Sequence, residues 1–373
     1  MESISIKPVG SDKELMQFIK LQWKFYKDDP YWVPPLISER KHMFNKEKNP
    51  FFKHADMQLF LAEKDGELVG RIAAIKNDRH NEYQNENIGF FGFFECINDQ
   101  EVANKLFDAA KEWIQKQGLD AMRGPANPSS NDEWGMLLEG FDDEPRLLMT
   151  YNPKYYLELC ENYGLKKVKD LFAYKLEHNK VTSSDKLARV ADIAQRRSRI
   201  KVRGANMKDF TNELEKFKYV YNKAWAPNWG FVPLTDEEID SMAADLKPLV
   251  EPSLILFGEI EGKLVGAALV MLDYNYVLKQ MNGRLLPFGF LKLFTQKKKI
   301  KWARVLTLGL IPEYQKRGLD AVFYWEIVHR AHKIGIDLGE ASWILEDNDM
   351  MNRGAQVMNG EVYKKYRIYE IKI

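Results

Sequence analysis

The sequence predicts an α/β protein of the α+β type, built from two tandem copies of one unit. Three observations lead there. A hairpin motif occurs twice, its flanking segments return at the same spacing, and each copy holds a long amphipathic stretch. The motif is E-x-x-G-x-L-V-G, in 60-FLAEKDGELVGRIAA-74 and again in 256-LFGEIEGKLVGAALV-270. Glu63, Gly66 and Gly70 match Glu259, Gly262 and Gly266 at an offset of 196. Each copy reads as strand, tight turn at the glycine, second strand. The offset returns where 4-ISIKPV-9 meets 200-IKVRGA-205, and where Gly164 meets Gly360. Three separated segments sharing one offset mark a duplication.

Within each copy the order is strand, helix, further helical turns, hairpin, strand, long helix, strand, helix, strands. In 99-DQEVANKLFDAAKEWIQKQG-118 the apolar residues Val102, Leu106, Ala109, Ala110, Trp113 and Ile114 recur at three- and four-residue steps, the period of a half-buried helix. Asp99 is the expected N-cap and Gly118 the expected stop. The matching helix ends near Gly335, at an offset of 217, so the second copy gains 21 residues before its fourth strand. Domains are expected at 1–179 and 200–373, joined by a linking helix at 180–199.

The composition suits a globular protein: 45% hydrophobic, 29% charged, net charge +1 over 373 residues. A near-neutral chain has no global pull toward nucleic acid. Cys96 and Cys160 are far apart, and no Cys/His spacing suggests a metal, so no metal is expected. The N-terminus has no apolar run of signal-peptide length, and no window reaches spanning length. A cytoplasmic location follows as the expectation. No G-x-S-x-G or H-E-x-x-H occurs.

The strand-to-helix turn 309-GLIPEYQKRGLD-320 joins this order to a family. Gln/Arg-x-x-Gly before the long helix resembles the donor loop of the GNAT acyltransferase superfamily. A tandem pair resembles its two-copy members: N-myristoyltransferases, Fem-type aminoacyl transferases and the YghO-like group that includes bacterial ceramide synthases. The strings 89-GFFGFFE-95, 123-RGPANPSSNDEWG-135, 150-TYNPKYY-156, 225-WAPNWGFVP-233, 340-EASWILEDN-348 and 363-YKKYRIYE-370 resemble the last group most. The resemblance implies two tandem GNAT-like domains, each a mixed, mostly antiparallel sheet flanked by helices. It implies an N-acyltransferase with acyl-CoA as cosubstrate, no tightly bound cofactor, and an amine acceptor such as a long-chain amino-lipid base. N-acetylation of a small polar amine, and a non-catalytic coenzyme A or lipid-binding module, stay open.

Gln315, Lys316, Arg317 and Gly318 are the residues expected at the pyrophosphate, because unpaired amides and the helix dipole favour an anion at a helix N-terminus. Asp320 departs from the usual Gly or Ala. The equivalent junction of the first copy, 92-GFFECINDQEV-102, has no such motif and carries Glu95, Asp99 and Glu101. The donor is therefore expected in the second copy.

An amine attacking a thioester needs a base, an oxyanion donor and a proton for the thiolate. Backbone amides near Leu308 and Leu310 are the candidate oxyanion donors. The tyrosine that serves as acid in many superfamily members is replaced by Gln356 in the second copy and Cys160 in the first. Tyr363, or its neighbour Tyr366, is the substitute candidate. Glu346 and His80 are candidate bases, and Asn348 a candidate contact to the pantetheine arm. The rival reading of 346–348 is a helix cap. Arg123, Asn131 and Tyr151 are candidate substrate contacts by the family match, against plain turn chemistry. The inserted segment 285–301 combines Leu285, Leu286, Phe288, Phe290, Leu291, Leu293 and Phe294 with Lys297, Lys298, Lys299 and Lys301, a pattern for peripheral contact with the inner face of a membrane or for a lid over an acyl chain.

Overall fold

A computed structural model describes residues 4–226 and 228–373. Met1–Ser3 and Pro227, the latter inside the string 225–233, lie outside the described residues. The strands in chain order are β1 (Ile4–Pro8), β2 (Ala55–Lys64), β3 (Glu67–Asn77), β4 (Ile88–Cys96), β5 (Ala121–Gly124), β6 (Ala126–Asn127), β7 (Glu133–Trp134), β8 (Met136–Glu139) and β9 (Lys166–Glu177). They continue with β10 (Lys201–Gly204), β11 (Ile255–Ile260), β12 (Lys263–Leu272), β13 (Trp302–Leu310), β14 (Leu338–Leu345) and β15 (Glu361–Lys372). The helices are α1 (Asp12–Phe25), α2 (Ile37–Met43), α3 (Asp78–Gln84), α4 (Gln100–Lys116), α5 (Tyr155–Tyr163), α6 (His178–Thr182) and α7 (Asp185–Ser198). Then come α8 (Phe210–Trp225), α9 (Asp236–Leu246), α10 (Asn275–Met281), α11 (Gly289–Thr295), α12 (Leu319–Lys333) and α13 (Asp349–Val357). Among the described residues no helix is long and apolar enough to cross a membrane.

The chain divides into two compact units. The first holds Met1–Asp170, Leu278–Lys292 and Lys365–Ile373. Its sheet runs antiparallel from β1 through β2 and β3 to β4. It then runs parallel from β4 to β5, over Ile88↔Ala121 to Phe90↔Arg123. The end of β15 closes it, antiparallel to β5 from Tyr369↔Gly124 to Lys372↔Ala121. The period read in the sequence puts Val102, Leu106, Ala110 and Ile114 of α4 on one face. That face is fully buried with Phe91, Phe94, Met122, Tyr156 and Tyr369. Burying side chains of this size contributes roughly 1.5–3 kcal/mol each. As expected, Asp99 is the N-cap: its carboxylate accepts from Glu101 N at 2.9 Å and Val102 N at 3.3 Å.

The second unit holds Leu171–Val277 and Leu293–Lys364. Its sheet runs antiparallel through β10, β11, β12 and β13, then parallel to β14. Leu171–Glu177 of β9 closes it, antiparallel to β14. The expected hairpin is β11–β12, with Gly258 opposite Gly266. Helix α12 buries Leu319, Ala321, Val322 and Phe323, and α7 packs along it. Thr235 and Glu238 form a capping box at α9, satisfying two amides reciprocally.

The unit bounds differ from 1–179, 180–199 and 200–373. The sequence assigns each copy its own last strand. In the structure Leu171–Glu177 closes the second unit and Lys365–Ile373 belongs to the first. Both strands carry the same alternating apolar pattern, so pattern cannot tell which partner edge each takes. The inserted 278–292 likewise falls in the first unit. Trp23 Nε1 donates to Asn282 Oδ1 at 2.7 Å there, and Ile37 N to Gly283 O at 3.0 Å.

Asp99→Ala removes the acceptor of two helix-end amides and the partner of Lys64. The variant is expected to lose about 1 kcal/mol of stability, and Asp99→Asn much less. Urea unfolding followed by tryptophan fluorescence measures both.

Candidate active site

Two strands part in the second unit. β13 and β14 pair in parallel from Trp302↔Leu338 to Val305↔Ala341 and no further. Both continue, to Leu310 and Leu345. On its other edge β13 stays paired to β12, with an irregularity between Leu269↔Thr307 and Val270↔Val305. That bulge turns the end of β13 away from β14. A hollow of about 30 Å³ lies at the parting. Val305, Leu308, Ala341 and Ile344 line it from the sheet, Tyr324 and Ile327 from α12, and Met351 and Ala355 from α13. The hydroxyl of Thr307, in the bulged stretch, is buried with no hydrogen-bond partner. Buried polar atoms are seldom left so.

The turn from β13 to α12 sits at this parted end. Gln315 Nε2 donates to Leu310 O at 3.0 Å, which folds the turn back onto the strand. Lys316 takes φ +60° and Gly318 φ +74°. Gly318 is the N-cap of α12 and supplies no side-chain cap. A Cβ there would meet Val190 at 3.2 Å, so the left-handed turn and the neighbour both select glycine. Lys316 and Arg317 are exposed, Arg317 over the Tyr314 ring at 5.2 Å. Asp320 is half-buried, and its carboxyl faces its own amide and that of Ala321. Burial raises its pKa above the usual carboxylate range, and the two amides oppose that. It therefore turns onto the helix start.

The first unit handles the same junction differently. After Phe90↔Arg123 its strands also part, but its own chain fills the gap. A Cβ on Gly92 would lie 1.7 Å from Ala126 O, and Phe93 N donates to Asn127 Oδ1 at 2.6 Å. Asp99 occupies the helix amides and pairs with Lys64 at 3.0 Å. Glu95 faces inward. It accepts from Gln22 at 2.6 Å, Tyr156 at 2.7 Å and Tyr26 at 2.9 Å, beside Arg71 at 3.5 Å. Burial raises its pKa against Arg71 and these hydrogen bonds.

Beyond β14, Asn348 caps α13, its carboxamide oxygen accepting from Met351 N at 3.1 Å. Glu346 is half-buried in the connection. Tyr363 lies elsewhere in the second unit, where its hydroxyl donates to Glu340 Oε2. Glu340 is fully buried. Ser342 Oγ donates to it at 2.6 Å, and Arg304 Nε donates to Ser342 Oγ at 3.0 Å. The Arg304 guanidinium stacks over Trp343 at 5.0 Å. This Arg304–Ser342–Glu340–Tyr363 network was missed in the sequence. Its one local signal is an acid inside the otherwise strand-like 338-LGEASWIL-345.

In the first unit Glu86 brings two expected site residues together. His80 is buried, 4.8 Å edge-on from Phe90, with Nε2 2.9 Å from Glu86 Oε2. Arg123 grips the same carboxylate with Nη1 at 2.8 Å and Nη2 at 2.9 Å, while its Nε donates to Glu370 at 2.8 Å. Burial raises the pKa of Glu86, but the hydrogen bonds and charges of His80 and Arg123 prevail and lower it to about 2. Tyr151 donates to both oxygens of Asp29, at 3.1 and 2.9 Å. Asn131 sits in the 129–132 turn, its amide donating to Ser129 Oγ at 3.1 Å.

Two proteins resemble this chain along nearly its whole length. Bacterial ceramide synthase of Caulobacter vibrioides (strain NA1000 / CB15N) is 36% identical over 380 residues, covering 98% of this chain and 97% of that protein. Protein YghO of Escherichia coli (strain K12) is 34% identical over 366 residues, covering 96% and 93%. A tandem GNAT protein from the clavulanic acid biosynthesis pathway superposes with a TM-score of 0.56 at 12% identity, covering 99% of this chain and 98% of that one. The GCN5-related glucosamine N-acetyltransferase region of a fungal GH3 beta-N-acetylglucosaminidase gives 0.60 at 12%, covering 100% and 38%. The superpositions establish a tandem GNAT fold. No family model matches the sequence.

The depressed pKa of Glu86 has a sign in stability. Its folded pKa of about 2 lies below the 4.5 of an ordinary glutamate. The contribution is fully present above pH 4.5 and is lost as pH falls through 2. Glu86→Gln should be less stable at neutral pH, yet lose less than the parent chain as pH falls across that window. Melting temperatures measured against pH test this.

Proposed function

This chain belongs to the family of bacterial ceramide synthase and YghO, and from that premise we propose that it moves an acyl group from an acyl-CoA thioester to an amine. The relative's name supports a long-chain amino-lipid base as acceptor. The observation that carries the reading is the contrast between the two parted strand pairs. In the second unit the parting stays open beside a basic, glycine-capped helix start. In the first, 125–127 and Asp99 occupy the equivalent places.

In this reading the coenzyme A pyrophosphate lies on the Gln315–Gly318 turn. Lys316 and Arg317 supply countercharge, and the amides of Gly318 and Leu319 supply donors, those of Asp320 and Ala321 being faced by the Asp320 carboxyl. The pantetheine arm runs along the unpaired edge of β13, where amides at Leu308 to Leu310 face the thioester carbonyl. As the amine attacks, the C–N bond forms and the carbonyl oxygen gains charge that those amides stabilise. The tetrahedral centre then expels the thiolate. Glu346, at the open end of β14, takes the amine proton and passes one back, through water, to the departing thiolate, so that coenzyme A leaves as the free thiol. Tyr363 is bound to a buried carboxylate, and ionising it there would set two anions side by side. Its role is to hold β15 through Glu340. His80 and Arg123 are committed to Glu86 and hold the edge of the first unit's sheet. Asn348 holds the start of α13.

A long-chain substrate must be collected from a lipid phase. Leu286 and Phe288 are each 71% exposed and Phe294 66%. Phe290 and Leu291 are exposed beside them in sequence. Lys297 pairs with Glu251, while Lys298, Lys299 and Lys301 follow on the chain. This combination supports peripheral docking on an anionic bilayer.

Purified chain incubated with long-chain acyl-CoA and a long-chain amino alcohol should give free thiol and the amide in equal amounts, read by thiol titration and mass spectrometry. Failure to form an amide with any acyl-CoA and amine pair, with coenzyme A still bound, would leave a binding module. Arg317→Ala and Gly318→Val should each weaken coenzyme A binding about tenfold or more, and Asp320→Asn less than about threefold, since its carboxyl faces the helix. Co-sedimentation with vesicles of anionic lipid should drop when Phe288 and Phe294 are replaced by Ser; unchanged sedimentation would sink the docking reading.

A further inference from the structure

Three of the six histidines of the chain gather at the C-terminal end of α12. His329 and His332 lie in its last turns, and His178 begins α6 directly after β9. Asp337 precedes β14, and its carbonyl accepts from His178 N at 2.9 Å, which fastens the two loops together. The rings of His178 and His332 stack at 3.9 Å and 13°. The His329 ring is 6.3 Å from that of His178. One ligand-type atom each from His178, His332 and Asp337 falls within 4.8 Å of the others.

The hydrogen bonds fix which ring nitrogen is available. His332 Nδ1 lies 2.6 Å from Asp337 Oδ1, and His329 Nδ1 2.8 Å from Trp325 O. His178 Nδ1 lies 3.2 Å from Asn179 Oδ1. Each partner is an acceptor oxygen, so each neutral ring carries its proton on Nδ1 and keeps a lone pair on Nε2. An oxygen holding the far N–H of an imidazole is the arrangement that orients metal-binding histidines. We propose that His178, His332 and Asp337 form a site for a borderline divalent cation of the Zn²⁺, Co²⁺ or Ni²⁺ class, with water completing its shell. Nitrogen ligands of a tetrahedral ion stand about 3.4 Å apart. Closure therefore needs the stacked rings to turn by roughly an ångström, which exposed side chains allow.

The position suits a staple. The site ties the start of α6 to the last turn of α12, at the opposite end of that helix from Gly318. Sequence spacing hid it, because His178 is distant in the chain from the pair at 329 and 332.

The test uses the full chain without a histidine tag, stripped with a chelator and then titrated with Co²⁺ and with Zn²⁺. One equivalent of Co²⁺ should give the visible absorption of a tetrahedral complex, and Zn²⁺ should displace it. Zn²⁺ at a hundredfold excess over its Kd should raise the melting temperature by about 3 °C or more. His178→Ala and His332→Ala should each weaken Zn²⁺ binding at least about tenfold, and Asp337→Asn about tenfold, with circular dichroism confirming the folded state. Binding no tighter than millimolar, or binding that His178→Ala and His332→Ala leave unchanged, would reduce the cluster to a ring stack and overturn the proposal.

Discussion

The parallel pairing of β13 with β14 stops at Val305↔Ala341, and the rest of the second unit's site depends on that stop. Here the bulge opposite Leu269 and Val270 sets β13 on a new course while β12 keeps hold of it. The parted edge leaves an apolar hollow between the two strands. Because α12 begins where β13 ends, the same geometry delivers a helix N-terminus to the mouth of the parting. One register irregularity thus places an apolar hollow and a basic, glycine-capped helix start at the same end of the sheet.

The two units show what duplication preserved and what it released. Both keep the parallel pair and the parting. In the first, Gly92 admits the 125–127 segment against β4, and an acid caps the helix. At one equivalent register the charge is reversed. Arg123 opposes Glu370 in the first unit, and Glu340 opposes Lys175 in the second. Each buried charge then recruits its own partners: Glu86 and His80 around Arg123, and Arg304, Ser342 and Tyr363 around Glu340. Removing one member of such a group leaves an uncompensated buried charge, which typically costs more than the pair contributed. These networks therefore fix strand register more than they add net stability.

Much of the fold was legible in the sequence because its signals are local. Alternation and the glycine turn marked both hairpins, and the three- and four-residue steps in 99–118 gave α4 with its cap. The turn between β13 and α12 was legible from Gln315, Arg317 and Gly318. The chemistry around it was less so. Glu95 was read as an acid at the junction, yet it turns into the core beside Arg71. Asn348 caps a helix, and His80 is bound to a glutamate the sequence gave no reason to single out.

The sequence by itself determined the duplication, the order of elements and which copy carries a basic, glycine-containing turn, since each is written in spacing and residue type along the chain. Only the tertiary structure decided that Leu171–Glu177 closes the second unit while Lys365–Ile373 joins the first, because two strands of like pattern fit either edge. It also decided the direction of the Asp320 carboxyl, the burial of Glu340 against Tyr363, and the meeting of His178 with His332. Those outcomes depend on which distant residues share a volume, and hydrophobic periodicity carries no information about that.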